Sequence, residues 1–68
     1  MSDIEIIEKL AEIEHEQWLL WAKEVQNEVA EERKERWQNH FVEYKNLPEK
    51  VKEQDRVFAR KVLAVLKG

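Results

Sequence analysis

The sequence contains no cysteine, so neither a disulfide nor a thiolate metal site can staple the fold. It has one glycine, Gly68, and one proline, Pro48. So little punctuation excludes a turn-rich chain and favours uninterrupted helices. No alternating run of β-branched residues is long enough for a sheet. No apolar stretch approaches the roughly 18 residues needed to span a bilayer. Met1-Ser2-Asp3-Ile4-Glu5 is acidic and lacks the basic start and apolar run of a secretion signal, so the expected compartment is the cytoplasm. Positive charge is not in surplus either, with 12 basic side chains against 15 acidic ones. That balance argues against bulk binding to nucleic acid or to an anionic membrane.

Charged residues fill 40% of the 68 positions, yet 43% are hydrophobic and three are tryptophan. Tryptophan buries a large area per residue, which a chain this short needs for a core. A single all-α domain over residues 1–68 is expected.

Ser2 can cap a first helix, with Glu5 three residues on completing a capping box. The helical pattern then runs from Asp3 to about Gln26, with Ile4, Ile7, Ala11, Trp18, Trp21 and Val25 in one stripe. The pattern loosens around Asn27. Glu31 to Gln38 reads as a short, heavily charged second helix carrying Trp37, and Asn39 to Leu47 as a connection anchored by Phe41, Tyr44 and Leu47. Pro48 suits the first turn of a third helix, where its missing N–H costs nothing. That helix shows Val51, Phe58, Val62 and Val65 on one face. The expected architecture is two long antiparallel helices, closed at one end by a short helix and an aromatic-anchored loop. Trp18 is expected to be a core residue seated on the third helix near Phe58 or Val62.

Two acids break this pattern. Glu14 falls inside the first stripe and Asp55 inside the third-helix face. A carboxylate on an apolar face must be paired, hydrogen-bonded, neutralised or exposed in a cleft. His15, Arg36, Arg56 and Arg60 are candidate partners. Two readings stand side by side: an internal polar network that fixes helix docking, or a polar pocket walled by Trp18, Trp21 and Tyr44. Glu14 and His15 are adjacent, about 100° apart on a helix, whereas metal ligands favour i, i+3 or i, i+4 spacing, so no metal site is expected. No nucleophile motif, phosphate loop or Glu-x-x-His pair is present, so neither an enzyme nor a cofactor is expected. Lys52, Arg56 and Arg60 form one edge of the third helix, either solvated or an anion-binding strip. Ile6, Leu10, Ile13 and Leu20 make a second apolar side on the first helix. It is covered either within the chain or by a second copy in a homodimer.

Glu14-His15-x-x-Trp18 early in a helix, followed by Tyr44-x-x-Leu47-Pro48-x-x-x-Lys52-x-x-Asp55-Arg56, resembles the RyR domain. That repeat is named after ryanodine receptors, and the chain looks most like its short, free-standing bacterial and phage versions. The resemblance spans nearly the whole chain and implies a mostly helical, non-enzymatic module. It further implies a site for a small polar or nucleotide-derived ligand built from Glu14, His15, Trp18, Tyr44, Asp55 and Arg56. The charged Glu31–Gln38 segment departs from the family's aromatic and glycine-rich connection. Where that connection lines a pocket, the departure removes the lining.

Overall fold

In the computed structural model, which describes all 68 residues, the chain is all-α. Helix α1 spans Asp3–Val25, α2 spans Glu31–Gln38 and α3 spans Glu49–Lys67. Short 3-10 turns at Gln26–Glu28 and Tyr44–Asn46 interrupt the connections. No helix is long and apolar enough to cross a membrane.

Local chemistry sets the boundaries. Ser2 Oγ accepts from the Glu5 N–H at 3.2 Å, and Asp3 and Glu5 place negative charge at the positive end of α1. Lys34 donates to the Asn27 side chain at 3.0 Å, tying α2 back to the turn that precedes it. Pro48 lies one residue earlier than expected, as the extended residue before α3. Its carbonyl accepts from the Val51 and Lys52 N–H groups, both at 3.0 Å, and so closes the first turn.

Helices α1 and α3 run antiparallel, with Lys67 at the end of α3 paired to Asp3 at the start of α1. Their contact is built on small residues. Ala11 and Ala59 are completely buried and share one core cluster with Tyr44 and Leu47; Ala22, Leu63 and His15 are the other buried residues. Alanine lets helix backbones approach closely, and this decides which faces meet.

The inward face of α3 is therefore Asp55, Ala59 and Leu63, flanked by the half-buried Lys52 and Arg56. The expected inward stripe is rotated away. Phe58 is 55% exposed and Val65 80% exposed. On α1, Ile4 and Trp21 also face solvent. Trp18 is half-buried, and its ring neighbours are His15, Trp37, His40 and Phe41. Its expected seat beside Phe58 and Val62 is corrected accordingly. Of the second α1 stripe, Ile6 and Leu10 are half-buried while Ile13 and Leu20 lie open.

Candidate functional site

Helix phase on α1 puts His15 and Trp18 one turn apart on the side that meets α2 and the start of α3. Their rings stack, with centroids 5.9 Å apart and planes 18° from parallel. From α2, Trp37 meets Trp18 edge-on at 5.7 Å and 76°, and meets Trp21 at 5.4 Å. His40 and Phe41, just past α2, pack against the same Trp18 ring at 6.3 and 5.7 Å. Edge and tilted geometries of this kind suit the negative face and positive rim of aromatic rings.

Four of these rings, His15, Trp18, Trp37 and His40, wall a cleft of about 350 Å³, lined also by Arg36, Val51, Gln54 and Asp55. The volume is at the small end of ligand sites. Arg36 and His40 are four residues apart and share one rim, while Gln54 and Asp55 come from α3 on the other.

At the cleft floor, His15 Nε2 lies 2.6 Å from the Val42 carbonyl. Only an N–H can bond there, so Nε2 carries the proton and Nδ1 of the neutral ring is an acceptor. Nδ1 faces Asp55 Oδ2 at 3.9 Å, beyond hydrogen-bond range. That oxygen is buried without a hydrogen-bond partner. Burial pushes the Asp55 carboxyl above its ordinary range; His15 opposes the shift and Glu14 adds to it.

The six residues expected to form one site fall in three places. His15, Trp18 and Asp55 share the cleft. Glu14 sits beside it in a shallow groove with Gln17, Trp18 and Trp21, half-buried and without an ion pair. Tyr44 and Arg56 belong to a separate cluster centred on Glu8, a residue that sequence reasoning did not single out. The Tyr44 hydroxyl donates to Glu8 at 3.1 Å, and Arg56 pairs with the same carboxylate. Arg56 also reaches Glu49 at 2.9 Å and Glu53 at 3.7 Å, while Arg60 pairs with Glu53 at 2.7 Å.

The bond from Arg56 is the main cause that holds Glu8 below the usual carboxylate range. Burial first, and then Glu8, push Tyr44 up to about 12. Lys52 lies 3.6 Å from Glu49, with its ammonium over the Tyr44 ring. The expected cationic strip is thus neutralised by its own acids, and this cluster joins α1, α3 and the connection.

Trp37, His40 and Gln54 complete the cleft without having been placed there from sequence, and Arg36, expected as a partner of Glu14 or Asp55, lines it with Asp55 but makes no ion pair. Trp37-x-x-His40 at i, i+3 spacing was the available signal. Helix α2 itself supplies cleft lining through Arg36 and Trp37. No protein-family model, curated protein or solved structure matches the chain.

Proposed function

We propose that this protein is a non-enzymatic binding module whose site is the cleft between α1, α2 and the start of α3. Its ligand is a small polar molecule with a planar ring and an anionic group, of which a nucleotide derivative is the simplest case. One observation carries this reading: two tryptophan rings, an arginine and an acid converge on one opening of about 350 Å³. Trp18 and Trp37 offer faces and edges on which a base stacks, a contact worth about 1–3 kcal/mol. Arg36 and His40 on one rim suit a phosphate, because guanidinium and imidazole N–H groups donate to its oxygens. Gln54 and Asp55 on the opposite rim suit ring N–H donors. The resemblance to RyR domains points the same way.

The test is a thermal-shift screen of the full chain against nucleotides, cyclic nucleotides and free bases. A ligand that binds only the folded state at 100 times its Kd adds about 2.7 kcal/mol. In a domain this small, that raises the melting temperature by about 10 °C or more. Arg36→Ala should abolish the shift for phosphorylated ligands and keep a weaker one for free bases. Silence across the screen at millimolar ligand, or shifts unchanged in Trp37→Ala, would overturn the reading.

A further inference from the structure

We propose that a second copy of this chain packs against the open side of the α1–α3 hairpin, forming a two-fold four-helix bundle centred on α3. The observation behind it is the apolar stripe that the fold leaves outside. Asp55, Phe58, Val62 and Val65 follow a 3-4-3 spacing, the seam spacing of packed helices. Only the Asp55 end of that stripe is covered, by the cleft residues; Phe58, Val62 and Val65 are exposed along two turns. By helix phase, Leu10 of α1 borders the same side, half-buried against the core.

Area selects the occupant. The chain exposes 5276 Å². The surface scaling of folded monomers gives about 4,600 Å² for a chain of 8.3 kDa. The excess of about 700 Å² approaches the roughly 800 Å² that each partner contributes to a standard interface. The core points the same way: seven of 68 residues are buried, and no large side chain is fully enclosed. A symmetric copy covers the stripe with its own equivalent, which an isologous contact requires.

Charge fits as well. The same side carries one acid and one lysine without ion pairs, Glu14 and Lys61, and the Lys61 ammonium sits 5.2 Å from the Phe58 ring centre. A two-fold axis near Phe58 sets Lys61 of one copy toward Glu14 of the other. This face differs from the Ile6, Leu10, Ile13 and Leu20 seam expected from sequence, whose Ile13 and Leu20 lie on the far side of α1.

Sedimentation equilibrium of the full chain, from micromolar to millimolar concentration, reads the outcome. The expected mass is twice that of the 8.3 kDa chain. Val65→Glu should weaken the dimer at least about 10-fold with helicity retained, because that residue is 80% exposed in the single chain. Val62→Glu should act in the same direction, and Leu20→Glu should leave the dimer intact. A single-chain mass at every concentration overturns the proposal. A dimer broken by Leu20→Glu and indifferent to Val65→Glu overturns it equally.

Discussion

Replacing Asp55 with asparagine should stabilise the protein, although it removes the acid nearest a histidine. The reason is the arrangement of lone pairs at the cleft floor. His15 Nε2 is committed to the Val42 carbonyl at 2.6 Å, so in the neutral ring Nδ1 offers only an acceptor toward Asp55 Oδ2 at 3.9 Å. Two acceptors face each other, and the carboxylate oxygen is buried without a partner. Such a group costs about 1–3 kcal/mol in the folded state. Asparagine keeps the shape, removes the charge and can turn an N–H toward Nδ1. A gain of about 1 kcal/mol is expected near neutral pH, or about 4–8 °C in melting temperature.

The pH dependence checks the cause. A carboxyl whose folded pKa is raised contributes stability that is present below its unfolded value and lost as pH rises through the folded value. The wild-type protein should therefore lose ground to Asp55→Asn from about pH 4 upward, the range starting at the unfolded carboxyl value. Far-UV circular dichroism melts of both proteins from pH 3.5 to 8 measure this. A variant that melts below wild type at pH 8 would show that the carboxylate is a net partner of His15 and refute the reasoning.

Two further outcomes concern the Glu8 cluster. Tyr44 is pushed up from 10 to about 12, so the stability it contributes is present below pH 10 and lost between those values. An absorbance titration at alkaline pH should find its midpoint near 12, and Glu8→Gln should lower it; an ordinary midpoint in the folded protein would contradict the contact. Arg56→Ala should cost about 1 kcal/mol, discounted because the acids it meets are largely solvated, with the loss shrinking at high salt. An unchanged melting temperature would show that the network contributes nothing.

The helices were legible in the sequence because their signals are local. Ser2 and Glu5 mark the start of α1, and Pro48 marks the start of α3 to within one residue. The rotation of α3 about its axis was not legible. Hydropathy ranks Phe58, Val62 and Val65 above Ala59, yet Ala59 permits the close approach of α1 and α3 and the larger residues do not. Once Ala59 and Leu63 face inward, the long stems of Lys52 and Arg56 lie at the seam with their charged ends in the Glu8 cluster. The site was half legible for the same reason. His15, Trp18 and Asp55 could be read from interrupted stripes and Arg36 as a candidate partner for the acids, whereas His40 sits in a connection where no helical stripe marks it.

The residues at the cleft are not equally free to report on binding. His15 bonds the Val42 carbonyl and so fastens the connection to α1, besides forming the cleft floor. Its loss would remove that part-buried bond, a contribution of about 1 kcal/mol in a domain with few buried residues to spare. Trp18 has the same double duty, since its ring holds His15, Trp37, His40 and Phe41 together. A defect in either variant would mix folding with recognition. Arg36 is different: it is exposed and has no ion pair within the chain, so the fold draws on its charge only through its place in the last turn of α2. A guanidinium left unpaired on the rim of an aromatic cleft, in a protein that pairs Arg56 and Arg60 with its own acids, is available to a ligand anion. Arg36→Ala is therefore the substitution whose effect on ligand-induced stabilisation can be read with the least correction for folding, that of one exposed charge in the last turn of α2.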